Sequence, residues 1–225
     1  MGFNQIKKMK AILTGATGMV GEGVLHECLL HSNIESVLVI GRKPCGVNHP
    51  KLKEIIHQNF FDITPILSQL SGYDACYFCS GVSSVGMKEA EFFKMTHTLT
   101  LNFAEKLSTV NPNITFCYIS GSSTDSTEKG KIMWARVKGK TENDLMKLPF
   151  KAVYNFRPGY MHPTPGLKNT ISYYKYISWI YPFARKFFPK YVSTLQELAL
   201  AMIHTSVKGY SKHILEVEDI LEMSK

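Results

Sequence analysis

The sequence predicts an α/β fold in which a doubly wound, mainly parallel sheet carries helices on both faces. Two observations predict it: apolar runs of strand length alternate with helical patterns, and a glycine-rich turn joins the first strand to the first helix. At 225 residues the chain is long enough for one such domain with a substantial core and a small C-terminal addition. Its hydrophobic content of 44% and charged content of 20% are ordinary for a soluble globular protein.

The individual elements follow from the apolar pattern. The predicted strands are residues 10–14, 36–40, 55–58, 75–79, 115–119 and 152–156. The predicted helical segments are residues 20–30, a short turn near 63–70, 89–108 and 132–148. Thr194 and Glu197 have capping-box spacing and predict a further helix that begins there. We expect residues 1–165 to form a nucleotide-binding domain, and residues 166–225 a mainly helical lid or substrate region packed on it.

The turn after the first strand has the sequence TGATGMVG over residues 14–21. A strand, a glycine-rich turn and a helix is the order that a dinucleotide site requires, although an ordinary glycine-rich loop is the alternative. Gly15 allows the tight turn, Gly18 lets the backbone approach a pyrophosphate, and Gly21 lets the helix pack close to the strand. The N–H groups at the start of the helix face the anion. The sequence therefore favours a Rossmann-type fold with these cofactor contacts: Gly15, Ala16, Thr17, Gly18, Met19, Val20 and Gly21.

The residues after the second strand indicate which dinucleotide is bound, because doubly wound sheets bind ligands at the carboxyl ends of their strands. An NAD-selective site usually has Asp or Glu about 20 residues past the glycine motif. Here that position holds Gly41, followed by Arg42 and Lys43. A guanidinium matches a 2′-phosphate in bidentate geometry, whereas a carboxylate would repel it. The sequence favours NADP over NAD, with a solvent-exposed Arg-Lys turn as the alternative.

The next two strand ends supply candidate contacts to the adenosine half of the cofactor. Asp62 and Ile63 could bond and stack against an adenine, but Asp62 could equally cap the following helical turn. Ser80, Gly81 and Val82 form a small-residue turn that would let the backbone approach the adenosine ribose.

The fifth strand and the helix that follows carry candidate catalytic groups. Ser120 and Ser122 lie in a polar turn, where a hydroxyl could hold a substrate oxygen. Trp134 and Lys138 are one helical turn apart and share a face. A solvated turn and a solvated lysine are the alternatives.

Together these features resemble the short-chain dehydrogenase/reductase superfamily. The resemblance is strongest to its extended or atypical branch of NAD(P)-dependent epimerase/dehydratase-like proteins, and within it to the small Tat-interacting-protein-like oxidoreductases. It covers about residues 10–165 well and the C-terminal part loosely. The matching features are TGxxGxxG at residues 14–21, Arg42, Asp62, RVKGK at residues 136–140 and Arg157-Pro158-Gly159.

The resemblance implies an oxidoreductase or epimerase-like enzyme that acts on a small molecule, which the sequence does not identify. In the family a Tyr-x-x-x-Lys pair supplies the chemistry. The lysine, here Lys138, binds the nicotinamide ribose, and a serine, here Ser122 or Ser120, orients the substrate. Pro158 and Gly159 would lie beside the nicotinamide.

The tyrosine position of that pair holds Trp134. An indole N–H donates a hydrogen bond but has no acid/base equilibrium near neutral pH. Tyr118, Tyr160 and His162 lie on nearby segments and could serve instead, as could water. A non-catalytic NADP-binding sensor or regulatory protein is the alternative to an enzyme.

Other function classes receive little support. The eight histidines form no ligand cluster, so we expect no metal site. The net charge of +8 is dispersed rather than concentrated in a basic module, so we expect no nucleic-acid partner. No secretory signal fits the N-terminus, and five scattered cysteines suit a reducing compartment, which together predict a cytoplasmic location. Frequent dimers in the family suggest a homodimer.

The segment at residues 171–188 is dense in aromatic residues and carries cations. Lys175, Pro182, Arg185 and Lys186 interrupt it, so it does not predict a membrane span. Three interpretations stay open: a helical lid over a substrate pocket, a dimer surface or core packing, and a helix in peripheral contact with a membrane.

Overall fold

A computed structural model describes residues 8–169 and 181–225 of the chain. The strands in this part of the chain are β1 Met9–Thr14, β2 Ile34–Gly41, β3 Leu52–Ile56, β4 Ala75–Phe78, β5 Thr115–Ile119, β6 Ala152–Phe156, β7 Tyr160–His162, β8 Val192–Thr194 and β9 Ile214–Leu215. The α-helices are α1 Met19–Leu30, α2 Glu89–Phe93, α3 Leu99–Val110, α4 Met133–Leu145, α5 Tyr181–Phe187, α6 Leu195–Lys208 and α7 Val217–Met223.

Seven strands pair in parallel in the order β3-β2-β1-β4-β5-β6-β9. Helices α1 and α6 pack on one face of this sheet, and α3 together with a 3₁₀ turn at Thr64–Leu70 packs on the other. The central strand β1 is buried from both sides, as a parallel strand covered by helices requires. The predicted doubly wound α/β fold is confirmed, and the carboxyl ends of β1, β2, β4, β5 and β6 meet at one edge.

The long helix predicted at residues 89–108 is formed by α2 and α3 with one π-helical turn, Lys94–Thr98, between them. The predicted capping box is also present at the start of α6. The Thr194 hydroxyl accepts from the Glu197 N–H at 3.0 Å, and the Glu197 carboxylate accepts from the Thr194 N–H at 2.7 Å. This reciprocal pair fixes where α6 begins.

The third strand lies about three residues earlier than the predicted 55–58. It pairs with β2 from Val37–Leu52 to Gly41–Ile56, and β2 fixes this register. Because β3 is an edge strand in which three of the five residues are exposed, its apolar pattern is weak.

The C-terminal region contributes to the main sheet. Strand β9 pairs beside β6, and α6 packs so closely on α1 that a Cβ built on Gly23 would lie 2.3 Å from the Leu195 side chain. Strands β7 and β8 form a separate two-stranded parallel sheet, which the apolar pattern did not predict. The boundary at residue 165 stays a prediction.

Residues 171–180 of the aromatic and basic segment lie outside the described residues. The remainder forms α5, where Phe183 and Phe187 are exposed. Among the described residues, no helix has the length and apolar character needed to cross a bilayer.

Candidate cofactor and active site

The glycine turn between β1 and α1 is held by close backbone contacts. Gly15 has φ +76°, and a Cβ built on it would lie 2.6 Å from the Cys79 carbonyl oxygen at the end of β4. A Cβ built on Gly21 would lie 2.1 Å from the Gly15 carbonyl oxygen. Both positions therefore require glycine for the turn to fit between the strand end and the helix.

Gly18 has a different environment. The nearest atom to a Cβ built there is the Gly15 carbonyl oxygen, at an ordinary 3.5 Å. Gly18 is the N-cap of α1, is exposed, and supplies no side-chain acceptor to the first-turn N–H groups. Protein packing does not explain a glycine at this position. A free path for an anion to the helix N-terminus does explain it, so the turn fits a pyrophosphate.

A cleft opens at this turn. Its first part has a volume of about 210 Å³, and its second part, about 190 Å³, shares Arg42, Phe60, Ser80 and Gly81 with the first. The predicted contacts in its wall are Gly15, Ala16, Thr17, Gly18, Arg42, Lys43, Ser80, Gly81 and Val82. The cleft thus runs along the carboxyl ends of β1, β2 and β4, where the sequence predicts the adenosine half of a dinucleotide.

Two of the predicted adenosine contacts lie outside the cleft wall. The Asp62 carboxylate accepts from the Thr64 N–H at 3.0 Å and from the Thr64 hydroxyl at 2.5 Å, which closes a local turn one residue before the N-cap, Ile63. Ile63 is fully buried in the core. Phe60 and Phe61 line the cleft instead, and their aromatic character in the sequence was the signal that could have identified them. Contact of Asp62 or Ile63 with adenine stays a prediction.

Met19, Val20 and Gly21 belong to the first turn of α1, and none of them is among the residues that line the cleft. Met19 and Gly21 are buried, so any contact of this turn with a cofactor would come from backbone N–H groups. Thr14 supports the turn, because its hydroxyl accepts from the Ser80 N–H at 3.2 Å.

Lys138 reaches the carboxyl end of β5 from α4. Its ammonium donates to the Ser120 carbonyl. Burial lowers the pKa of Lys138 to about 8, against the opposing effect of the Glu142 carboxylate. One turn earlier, the Trp134 ring lies 3.8 Å from a Cβ built on Gly121, so the indole packs over the turn that holds the two candidate serines.

The structure separates those two serines. Ser120 is 5% exposed, and its hydroxyl donates to Glu142 and lies 3.1 Å from the Phe156 carbonyl oxygen. The backbone N–H of Ser122 donates to the Pro158 carbonyl at 2.9 Å, which brings the two turns together. The Ser122 side chain is partly exposed, and no hydrogen-bond partner for its hydroxyl is found among the described residues. Ser122 is thus the serine whose hydroxyl is available to a substrate.

Pro158 and Gly159 follow β6 and face this turn from the next strand. Pro158 is buried, and a Cβ built on Gly159 would lie 2.2 Å from the Tyr191 carbonyl oxygen. Gly159 is therefore required by the approach of the β8 segment. Whether either residue contacts nicotinamide stays a prediction.

The three groups that could replace the missing tyrosine lie in different environments. Tyr118 is 2% exposed within the core, and burial raises the pKa of its phenol, so it is inaccessible to a substrate. Tyr160 and His162 lie on β7, directly after Gly159. Burial lowers the pKa of His162, which keeps its imidazole neutral at pH 7. Its ring stacks on Tyr181 at 4.1 Å between centroids.

Within residues 8–169 and 181–225, no three His, Cys, Asp or Glu side chains are placed to share a metal ion.

Solved structures with the same fold are short-chain dehydrogenases and related enzymes. A short chain dehydrogenase family protein from Francisella tularensis superposes with a TM-score of 0.63 at 18% identity, covering 90% of this chain and 92% of that one. The enzyme WbmF from Bordetella bronchiseptica, in complex with NAD+ and UDP, superposes with a TM-score of 0.62 at 14% identity, covering 97% and 76%. At these identities the likeness establishes the fold.

A curated relative corrects one expectation. The protein "FMP52, mitochondrial" from Meyerozyma guilliermondii is 26% identical over 156 residues, which are 67% of this chain and 64% of that protein. The match spans slightly less than two thirds of the relative. Because this relative is named a mitochondrial protein, the predicted cytoplasmic location is wrong. The scattered cysteines indicate a reducing compartment but do not say which one, and this led to the error.

The sequence itself matches a family model over residues 11–132, which is more than half of the chain. The matched region contains the glycine turn, Arg42, the cleft wall and the candidate serines. The seven-stranded parallel sheet is that of an NAD(P)-binding Rossmann fold. The chain belongs to the NAD dependent epimerase/dehydratase family.

Proposed function

We propose that the chain is an NADP(H)-dependent oxidoreductase or epimerase-like enzyme that acts on a small molecule. One observation carries the choice of NADP: Arg42 and Lys43 line the cleft at the end of β2, and no Asp or Glu is among the residues that line either part of it. A 2′-phosphate at this end meets two cations and no opposing carboxylate.

Lys138 and Ser122 lie at the carboxyl end of β5, where the nicotinamide half of the cofactor would bind. When bound, the nicotinamide supplies or accepts a hydride. The Lys138 ammonium would hold the adjoining ribose, and the Ser122 hydroxyl would hold a substrate oxygen. Pro158 and Gly159 would close the wall beside them.

The proton that the reaction needs must come from a group other than Trp134. Trp134 can orient a substrate oxygen through its indole N–H but cannot exchange a proton with it. The groups that could exchange that proton are His162 on β7, whose pKa burial lowers, and water, because Lys138 is assigned to the ribose. A non-catalytic NADP sensor is the second candidate function, and Trp134 is the observation that favours it.

Turnover separates the two functions once binding is established. Purified protein is mixed with NADPH and a panel of aldehydes and ketones, and separately with NADP+ and a panel of nucleotide sugars, and NADPH oxidation and sugar epimerisation are followed. We expect at least one substrate class to react, and Lys138→Met to abolish that reaction. Tight NADPH binding with no turnover across the panel would favour the sensor.

A mitochondrial association is part of the proposal, and it rests on the name of the FMP52 relative. A homodimer and peripheral membrane contact through the aromatic segment remain predictions. Fractionation of cells that express the tagged chain tests the location.

A further inference from the structure

A buried ion pair lies directly behind Lys138. Glu142 follows Lys138 by four residues on α4, so the two side chains share one face of the helix. The Glu142 carboxylate is fully buried, and Arg157 grips both of its oxygens, with Nε 3.0 Å from Oε1 and Nη2 2.5 Å from Oε2. The Ser120 hydroxyl donates to the same carboxylate. Helix α4, the turn after β5 and the end of β6 are thereby joined at the candidate active site.

Arg157 also contacts the C-terminal region of the chain. Arg157 Nη1 donates to Glu216 Oε1 at 3.1 Å, and Nη2 donates to the Ser126 hydroxyl at 2.5 Å. Glu216 is the exposed N-cap residue of α7. The charged groups of this cluster besides Lys138 are therefore Glu142 from α4, Arg157 directly after β6 and Glu216 at the N-cap of α7, and the neutral phenol of Tyr118 on β5 also lies near Glu142.

Removing one member of this cluster leaves uncompensated charge. A buried carboxylate is tolerated only when it is paired and hydrogen-bonded, and here Arg157 and Ser120 provide both. Without Glu142, the Lys138 and Arg157 cations would face the same buried region with no anion between them. The neutral form of Lys138 would then be favoured.

The cluster also sets where the ammonium points. Because Glu142 fixes the Ser120 side chain, the Ser120 carbonyl is held where it accepts from Lys138. An ammonium has three donors, so two remain for a ligand. Two donors match the two hydroxyls of a ribose diol.

We propose that Glu142 and Arg157 are positioning residues for Lys138: the pair fixes the Ser120 turn that aims the ammonium and provides the anion that keeps it protonated while it holds the nicotinamide ribose. The inference rests on the proposed function, since it takes a dinucleotide as the ligand of Lys138. Its signature is the pH dependence of binding, because burial brings the pKa of Lys138 to about 8.

The test measures NADPH affinity by fluorescence between about pH 6 and pH 10. In the wild type, affinity falls as pH rises through about 8, because the protonated ammonium is the binding form. Glu142→Gln removes the anion and moves the midpoint of this fall down by about one pH unit. Arg157→Gln removes the cation that neutralises Glu142 and moves the midpoint up. Opposite movements identify a positioning role, because a merely structural loss would weaken binding in both variants at every pH.

The fragment 2′,5′-ADP is the control, because it lacks the nicotinamide ribose and should bind every folded variant as it binds the wild type. If Glu142→Gln does not bind 2′,5′-ADP, that variant is misfolded and Arg157→Lys replaces it in the test. Arg157→Lys keeps a cation but loses the paired hydrogen bonds to the two Glu142 oxygens, and we expect the midpoint to move up. Midpoints that stay at the wild-type value, or that move the same way in both Gln variants, overturn the inference. Failure of the wild type to bind either NADPH or 2′,5′-ADP overturns the proposed function instead.

Discussion

Three glycines of the turn, Gly15, Gly18 and Gly21, are required for different physical reasons. Gly15 and Gly21 are pressed against backbone carbonyls, so they are needed for folding. Gly18 faces the open cleft, so its missing side chain leaves room for a ligand. The spacing of the glycines alone does not reveal this division, because it depends on the distances from Gly15 to Cys79 after β4 and from Gly21 back to Gly15.

We expect Gly21→Ala to lower the free energy of unfolding by about 1–3 kcal/mol, because the added methyl group meets the Gly15 carbonyl and cannot be accommodated without a backbone shift. Gly18→Ala should cost less than about 1 kcal/mol. It should weaken NADPH binding by about tenfold, which corresponds to about 1.4 kcal/mol. Urea unfolding and a fluorescence titration of both variants check this. An equal loss of stability in the two variants would contradict the assignment.

Ser120 and Ser122 are a second matched pair. Ser120→Ala deprives the buried Glu142 carboxylate of a donor and should lower the free energy of unfolding by about 1–3 kcal/mol. Ser122→Ala should leave stability unchanged and lower turnover of any substrate found in the panel. Urea unfolding combined with initial rates distinguishes the two. If Ser122→Ala turns over substrate at the wild-type rate, Ser122 has no role in orienting the substrate.

At the scale of elements, long amphipathic segments could be predicted from the sequence and short edge segments could not. Helix α6 begins where Thr194 and Glu197 predict it, because a capping box is a local interaction. Strand β3 is shifted from its prediction because its register is set by β2, and β9 has only two residues, too few for a periodic pattern. The pairing of β7 with β8 joins segments about 30 residues apart and leaves no local signal.

The capping box gives a prediction for α6. Thr194→Ala removes the acceptor of the Glu197 N–H and should lower the free energy of unfolding by about 1 kcal/mol. Thr109→Ala, at an exposed position inside α3, is the control, and it should change the free energy of unfolding by no more than about 0.5 kcal/mol, because the higher helix propensity of alanine offsets the lost hydrogen bond to the Lys106 carbonyl. Thermal unfolding followed by circular dichroism measures both. Equal effects in the two variants would show that the cap does not stabilise α6.

At the scale of the whole molecule, the sheet needs the C-terminal elements. Six residues of α6 are fully buried in the core that it shares with α1: Leu195, Leu198, Ala199, Ala201, Met202 and Ile203. Strand β9 covers the edge of β6. The nucleotide-binding part therefore depends on residues that follow position 165.

A fragment of residues 1–165 should accordingly fail to unfold cooperatively, because removing α6 exposes the core on one face of the sheet. The full chain should show one cooperative transition. Urea unfolding of the fragment and of the full chain, followed by fluorescence and circular dichroism, measures this difference in cooperativity. A fragment with a cooperative transition near that of the full chain would establish residues 1–165 as an independent domain.

The cleft was predictable in outline, because strand order brings the residues after β1, β2 and β4 to one edge. Its wall was predictable only in part. Phe60 turns into the cleft while Ile63 turns into the core, and this depends on the 3₁₀ turn that follows β3. The hydrogen bond from the Ser120 hydroxyl to Glu142 joins residues 22 positions apart. The sequence alone therefore does not show whether Ser120 or Ser122 has a free hydroxyl.

We propose that Arg42 makes this an NADP site, and a titration of the wild type and Arg42→Asp with NADPH and NADH tests this most directly. Lys53→Asp, an equal change of charge on the exposed edge strand, is the control. We predict that the wild type binds NADPH more tightly than NADH, that Arg42→Asp abolishes or reverses this preference, and that Lys53→Asp keeps it. Equal affinities of the wild type for the two cofactors would contradict the account.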